Sequence, residues 1–133
     1  MVIRRKIVLA SCSNLPDWEV DDQFLVVALS RHFDVEVISW DAPDVDWSVY
    51  HAVVIRTTWD YTSKLDQFIC WVHQVKKHTM LINNADWVSW NAYKSYLVEM
   101  ELHGIQTNTG TVLSPHTYQL KETLASWSGC RPE

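Results

Sequence analysis

Six consecutive residues near the middle of the chain combine side-chain types that can bind a small charged molecule. They come directly after an apolar run that ends at Ile55, and they are Arg56, Thr57, Thr58, Trp59, Asp60 and Tyr61. The planar guanidinium of Arg56 suits a carboxylate or a phosphate, and the carboxylate of Asp60 can accept a hydrogen bond from an amine. Ligands of open α/β sheets bind beyond the carboxyl ends of the strands. This 56–61 segment is therefore predicted to bind a substrate.

A purely structural role for the 56–61 segment is the alternative. Arg56 can pair with Asp60 four residues later, and the rings of Trp59 and Tyr61 can pack in the core instead of forming an apolar wall for a ligand. Asp60 can also cap the helix that follows. The residue types do not distinguish these arrangements, so both remain open from the sequence.

A single lysine is the second candidate. Lys94 lies in the run Trp90-Asn91-Ala92-Tyr93-Lys94, where Ser89 is predicted to cap a helix over residues 90–103 that Gly104 ends. The lysine then falls in the first turn of this helix. Because a helix N-terminus favours phosphate and lysine adds a point charge, Lys94 is a candidate for binding nucleotide phosphates. The alternative is a solvated surface lysine.

Apolar runs that alternate with helical patterns predict the elements that position these residues. The short continuous apolar runs, which are typical of buried parallel strands, are Lys6–Cys12, Val35–Trp40, Ala52–Ile55 and Met80–Asn83. Helical spacing predicts one helix over residues 17–32 and another from the capping pair Ser63 and Asp66 to Lys77. This order predicts an α/β fold, an open, mostly parallel, Rossmann-like sheet with helices on both faces.

The pattern of elements changes near residues 105–110, where Thr-Asn-Thr-Gly interrupts it. We therefore predict a Rossmann-like domain over residues 1–108 and the start of a second, incomplete domain over residues 109–133. The second range contains one short strand and one helix that Ser114 is predicted to cap. A single strand and helix cannot bury their apolar surface alone, so we expect the chain to belong to a longer protein.

Charge and composition exclude several classes of protein. The 133 residues carry a formal net charge of −5 without a basic stripe for nucleic acid, and the acidic residues at 17–22 and 34–46 are interpreted as a solvated helix start and a loop. No apolar run approaches the roughly 18 residues of a membrane span and no signal peptide is visible, so a cytoplasmic location is expected. Three cysteines without a CxxC pair and six histidines without metal-binding spacing predict no metal site.

Three common nucleotide and nucleophile motifs are absent from the sequence. The turn after the first strand reads Ser11-Cys12-Ser13-Asn14 instead of GxGxxG, which argues against a standard dinucleotide site. Neither a GxxxxGK[ST] P-loop nor a GxSxG nucleophile motif occurs. A nucleotide would therefore have to bind in another way, and no residue of this chain is assigned a catalytic role.

The motifs together resemble the ATP-grasp superfamily. They are most similar to the amino-terminal (pre-ATP-grasp) domain of small bacterial ligases related to the cycloserine-forming and glutathione-synthetase-like enzymes. In that family an R-[ST]-T-W-D-Y motif follows the third strand, as at residues 56–61, and a W-N-x-D-K-x-Y-L helix follows a strand that ends in Asn, as at residues 90–97. The chain departs from the family pattern at Tyr93, where Asp is usual, and at Gln106, where Pro is frequent.

The resemblance implies a mechanism for a complete enzyme, in which ATP phosphorylates a carboxylate and an amine attacks the resulting acyl phosphate while Mg²⁺ and lysines neutralise charge. It implies that Lys94 reaches the ATP phosphates and that the 56–61 segment forms part of the wall for a small carboxylate or amine substrate. The magnesium ligands and the adenine pocket would belong to missing carboxyl-terminal ATP-grasp domains. We therefore expect a truncated chain that is inactive alone and binds neither ATP nor Mg²⁺ tightly.

Two other functions remain open from the sequence. A stand-alone flavodoxin-like binding or signalling domain would have the same fold, although a receiver domain would need an acidic pair where this chain has Ser11 and Ser13. A structural or dimerising module is the other, because exposed apolar surface around Trp87, Trp90 and residues 111–127 would favour a homodimer.

Overall fold

A parallel β-sheet forms the centre of the computed structural model, which describes residues 4–15 and 20–108. Within these residues the sheet has four strands in the order β2-β1-β3-β4, and every adjacent pair runs parallel. The strands are β1 (Lys6–Ser11), β2 (Asp34–Ser39), β3 (Ala52–Thr57) and β4 (Met80–Ile82). The predicted α/β class with a parallel sheet is confirmed.

Four helices accompany the strands in the described part of the chain. They are α1 (Val20–Leu29), α2 (Leu65–His78), α3 (Ala85–Asn91) and α4 (Tyr96–Leu102). Two short 3₁₀ turns, at Trp47–Val49 and Trp59–Ser63, precede β3 and α2 respectively. None of the helices in these residues is both long and apolar enough to span a membrane.

Helices cover both faces of the sheet. The β1–α1–β2 crossover steps to one side of β1 and the β3–α2–β4 crossover steps to the opposite side of β3, so right-handed connections place α1 and α2 on opposite faces. Burial agrees with this arrangement. Val8 packs with Val75 of α2 in one apolar cluster, while Leu9, whose side chain points to the other face, is 1% exposed.

The chain divides into two compact units, one up to Ala92 and the other from Tyr93. The second unit is described here only through residue 108, and its main element is α4. That helix ends as predicted at Gly104, whose φ of 77° is the left-handed conformation glycine tolerates. The amide of Gly104 donates to the carbonyl of Glu101 and the amide of Ile105 donates to that of Met100, the paired bonds of a Schellman end. The predicted domain boundary at residue 108 stays a prediction, and the predicted strand–helix unit over 109–133 lies outside the described residues.

Two predicted boundaries near the candidate residues are wrong. Strand β3 continues through Thr57 instead of ending at Ile55, so the 56–61 segment begins on the strand and not after it. The pair Ser63 and Asp66 does not form a capping box. The hydroxyl of Ser63 donates instead to the carbonyl of Asp60 at 2.8 Å, inside the 3₁₀ turn that the sequence pattern did not reveal.

The single helix predicted over residues 90–103 is also wrong, because the chain forms α3 and α4 with a turn between them. Helix α3 starts earlier since Asn84, and not Ser89, is its cap. The Asn84 side chain accepts a hydrogen bond from the amide of Asp86 at 2.9 Å. Lys94 therefore lies in the turn before α4 and not within the first turn of a helix.

Candidate functional site

A cleft of about 390 Å³ opens at the carboxyl ends of β3 and β4 in the first unit. Its walls come from the end of β3, the 3₁₀ turn that follows it, α2, the turn after β4, and α3. The Asn83 backbone has a φ of 70°, a left-handed conformation that asparagine adopts more readily than most residues. This residue turns the chain from β4 into α3 and so creates one wall of the cleft.

Neutral hydrogen-bonding groups form the polar part of the cleft, and they are Thr58, Asn83, Asn84 and Asn91. Thr58 is only 5% exposed, and its hydroxyl makes no hydrogen bond within residues 4–15 and 20–108. The amide of Asn83 is fixed because its Nδ2 donates to the carbonyl of Ile55 at 3.1 Å. The cleft therefore presents the hydroxyl of a buried threonine and an asparagine amide that a hydrogen bond orients.

Aromatic rings form the apolar part of the cleft. Tyr61 and Phe68 line it with their ring centroids 5.2 Å apart, and Phe68 is 3% exposed. Trp87 of α3 forms the outer wall, with 67% of its surface exposed, and its ring meets that of Trp90 edge-on at 5.6 Å. The cleft therefore offers aromatic surface beside its polar groups.

The residues that line this cleft carry no charged side chain in the part of the chain that the structure describes. An ionised group placed there without a counter-charge would lose hydration without compensation. The lining thus suits an uncharged group that forms hydrogen bonds, and it does not fit a phosphate. Nor do the described residues include a cluster of three or more side chains suited to a metal ion.

Arg56 does not line the cleft. Its Nε donates to the Oδ1 atom of Asp22 at 3.1 Å, and its Nη2 donates to the same atom. Asp22 on α1 is 4% exposed, while 43% of the Arg56 side chain is accessible. The hydrogen bond from this carboxylate raises the pKa of Arg56 above its ordinary value. Pairing of Arg56 with Asp60 is therefore wrong, as is the interpretation of Asp22 as part of a solvated helix start. A role of Arg56 in substrate binding stays a prediction.

Asp60 belongs to a charged network beside the cleft. Its carboxylate accepts a hydrogen bond from the indole Nε1 of Trp40 at 2.8 Å and one from Lys64 at 3.2 Å. The Lys64 ammonium also donates to Asp41 at 2.7 Å. The bond to Asp41, followed by the bond to Asp60, raises the pKa of Lys64. The same bond from Lys64, supported by one from Ser39, lowers the pKa of Asp41.

The two remaining members of the 56–61 segment also lie outside the cleft lining. Thr57 is buried, and its hydroxyl donates to the hydroxyl of Ser11 at 3.0 Å, which links β3 to β1. Trp59 is 57% exposed. The structure thus brings Thr58 and Tyr61 together in the cleft and directs the other four residues elsewhere. Substrate binding by those four stays a prediction.

Lys94 belongs to the second unit, where it lies in the turn before α4. Its ammonium is 5.8 Å from the ring centroid of Tyr96, within the range of a cation–π contact. Helix α4 has only seven residues. The predicted contact between Lys94 and ATP phosphates stays a prediction.

Sequence reasoning missed several residues that shape the site. Phe68, Trp87 and the pair Asn83-Asn84 line the cleft, and Lys64 holds Asp60. The asparagine after β4 was a visible signal, since an asparagine that follows an apolar run is a common point for left-handed backbone. The pairs Asp22–Arg56 and Asp41–Lys64 had no such signal, because each joins elements far apart in the sequence.

Comparison with known proteins gives three consistent findings. Residues 7–83, more than half of the chain, match the family model described as D-cycloserine synthetase DcsG, N-terminal domain. The chain is 32% identical over 98 residues to the cycloserine biosynthesis protein DcsG of Streptomyces lavendulae, an alignment that covers 74% of this chain and 32% of the relative. A crystal structure of D-cycloserine synthetase DcsG is similar with a TM-score of 0.79 and 27% identity, over 90% of this chain and 42% of that one.

The coverage differs between this chain and its relatives. The chain spans about a third of the length of the curated relative that it matches. The match with the family model includes α1, α2 and all four strands except the first residue of β1. The chain therefore belongs to the family of the D-cycloserine synthetase DcsG N-terminal domain.

Proposed function

We propose that this chain is the amino-terminal, substrate-side domain of an ATP-dependent ligase that joins a carboxylate to an amine. Membership of the DcsG N-terminal family supports a ligase-related domain. The observation that carries the proposal is the cleft at the carboxyl ends of β3 and β4, the edge where α/β sheets bind ligands. Thr58 and Tyr61, from the segment that resembles the ligase motif, both line it.

The cleft would hold an uncharged polar part of the substrate. The Thr58 hydroxyl and the Asn83 amide provide hydrogen-bonding atoms, and the rings of Tyr61 and Trp87 exclude water around them. Because the Thr58 hydroxyl has no hydrogen bond within the described residues, it is available to pair with a ligand. The charged end of the substrate would extend out of this cleft toward cationic groups that the described lining does not supply.

ATP and Mg²⁺ belong to the proposed ligase but do not fit the cleft. Its described lining has no cation for a phosphate, and the described residues have no cluster for a metal ion. In the proposed enzyme ATP supplies the phosphate that activates the carboxylate. We assign its binding to ATP-grasp domains in the part of the longer relatives that this chain does not span, with Lys94 as this chain's contribution to the phosphates.

A calorimetric titration tests the proposal with D-cycloserine, the compound named in the descriptions of the relatives. The chain is expected to bind it saturably. Thr58→Val, which keeps the shape of the side chain and removes the hydroxyl, is expected to weaken binding about five- to tenfold, because one hydrogen bond is worth about 1 kcal/mol. Thr62→Val, at an exposed position of the same 3₁₀ turn, is the matched control and is expected to bind like the wild type.

The alternative function has a different outcome in the same titration. A stand-alone binding or dimerisation module with no relation to the ligase reaction would show no saturable heat with D-cycloserine. Equal affinity for the wild type and Thr58→Val would likewise contradict the assignment of the cleft. Sedimentation or light scattering of the same samples reports whether the chain is a homodimer, which we propose as its state in isolation.

A further inference from the structure

A cluster of side chains outside the cleft connects its wall to the carboxyl end of β2. The cluster, here called the Lys64 clamp, consists of Trp40, Asp41, Asp60 and Lys64. We propose that Lys64 is a positioning residue that holds the Thr58–Tyr61 wall of the cleft in the shape needed to bind substrate. The importance of that shape for binding rests on the proposed function, whereas the positioning itself does not.

The clamp joins three elements that meet at the carboxyl end of the sheet. Asp41 follows β2, Asp60 lies in the 3₁₀ turn after β3, and Lys64 directly precedes α2. The Lys64 ammonium lies 2.7 Å from a carboxylate oxygen of Asp41 and 3.2 Å from one of Asp60. It also lies 5.8 Å from the ring centroid of Trp40. One ammonium therefore ties the turn to the end of a strand that is two positions away in the sheet.

The backbone of Lys64 holds the same turn from its other end. Its amide donates to the carbonyl of Tyr61 at 3.1 Å, and the amide of Tyr61 donates to the carbonyl of Thr58 at 3.1 Å. Two consecutive backbone hydrogen bonds thus connect Lys64 to Tyr61 and Tyr61 to Thr58, the two residues that the turn contributes to the cleft. Asp60, which the ammonium binds, is the residue immediately before Tyr61.

Aromatic packing connects the Lys64 clamp to Tyr61 and Phe68, the two rings that form the floor of the cleft. The Trp40 ring, whose Nε1 donates to Asp60, meets Phe68 edge-on at 5.2 Å. Phe68 in turn packs against Tyr61 at 5.2 Å. A shift of Asp60 would therefore disturb the two rings that form the floor, in addition to the backbone of the turn.

Loss of the Lys64 ammonium is expected to change the position of the turn more than the overall stability of the fold. The Lys64 and Asp41 side chains are 37% and 22% accessible, and ion pairs that contact water contribute little to the overall stability of a fold. The Asp60 side chain, in contrast, is only 9% accessible. Without Lys64, the Asp60 carboxylate keeps only Trp40 as a donor among the described residues. Because a nearly buried charge with few partners is unfavourable, the turn is expected to move toward water.

Hydrogen exchange tests the positioning without any ligand. In Lys64→Met, exchange of the Tyr61 amide is expected to accelerate about tenfold, while the amides of Val8 and Val53 in the sheet keep their rates. Lys64→Arg is expected to restore slow exchange at Tyr61. Lys6→Met, which removes a comparable ammonium from the ion pair with Glu36 on another part of the sheet, is the control and should leave Tyr61 unchanged.

Affinity for D-cycloserine tests whether the positioning serves binding. Measured well below the unfolding temperature of each variant, Lys64→Met is expected to bind about fivefold more weakly than the wild type, with recovery in Lys64→Arg. Unchanged exchange at Tyr61 in Lys64→Met would overturn the proposal whatever the ligand does. Faster exchange with unchanged affinity would overturn its functional part. If the wild type itself does not bind D-cycloserine, the proposed function fails, and the exchange result alone decides the role of Lys64.

Discussion

The cleft and the charged pairs around it differ in what their residues do, although both draw on the same 56–61 segment. The cleft is lined by neutral side chains, among them Thr58 and Tyr61. The charged members, Arg56 and Asp60, bind Asp22 and Lys64 within the chain. The residues that look most chemically active in the sequence therefore support the fold, and the less conspicuous ones face the space where a ligand fits.

The backbone explains this division. Successive side chains of a strand point to opposite faces of the sheet, and β3 extends through Thr57. Ile55 packs on the α2 side of the sheet, so Arg56 points toward α1, where it meets Asp22. The 3₁₀ turn at Trp59–Ser63 then redirects the chain and brings Tyr61 back toward the cleft. Consecutive residues of the 56–61 segment therefore lie in three different parts of the structure.

The largest expected effect is a loss of folding stability without a loss of ligand affinity. Asp22→Asn removes the charge that holds Arg56, and Asp22 is almost fully buried, so the free energy of unfolding is expected to fall by about 1–2 kcal/mol. Affinity for D-cycloserine should stay the same because neither residue lines the cleft. Urea denaturation followed by circular dichroism, with calorimetry on the folded protein, measures both quantities.

A matched exposed pair provides the control for that variant. Asp86→Asn interrupts the bond from Lys76 to Asp86, in which the two side chains are 43% and 69% accessible. Its cost should be below about 0.5 kcal/mol, as is usual for exposed ion pairs. A clear loss of D-cycloserine affinity in Asp22→Asn would show that Arg56 acts in the site and would break the division between the two regions.

A smaller effect is expected from pH, which titrates the Lys64 clamp without changing the cleft. The pKa of Asp41 is lowered from its ordinary 3.8, so its contribution to stability is present above that value and is lost as the pH falls through the folded-state pKa. The pKa of Lys64 is raised from 10.5, so its contribution is present below that value and is lost as the pH rises through the folded-state pKa.

The difference in unfolding temperature between the wild type and Lys64→Met measures this pH dependence. It is expected to be constant between about pH 5 and about pH 10 and to shrink on both sides of that interval. A difference that keeps growing in acid would mean that Asp41 and Lys64 are not paired as described. Lys6→Met provides the comparison for nonspecific effects of losing one positive charge.

Local patterns predicted most of the fold. Continuous apolar runs such as Lys6–Cys12 indicated parallel strands because both faces of such strands are covered, and β1 is buried along nearly its whole length. Gly104 predicted the end of α4 because the left-handed backbone there strongly favours glycine. These features depend on neighbouring residues, which a sequence displays directly.

The candidate site depended on contacts that the sequence does not display. The partner of Arg56 lies 34 residues away on α1, and the partner of Lys64 at Asp41 lies 23 residues away. Helical spacing predicted one helix capped by Ser89, whereas Asn84 caps α3 and a turn separates α3 from α4. The position of Lys94 was wrong for that reason, since a single cap moves every residue relative to a helix end.

A map of where D-cycloserine binds tests most directly whether the neutral cleft is the binding site. In a two-dimensional ¹H–¹⁵N NMR titration of the labelled chain, saturable shifts are expected at the amides of Thr58, Tyr61 and Asn83 and at the indole of Trp87. The amide of Asp22 and the Arg56 side chain should remain unperturbed. Shifts centred on Arg56 and Asp22, or no saturable shifts at the cleft, would contradict the claim that this neutral cleft is the substrate side of the domain.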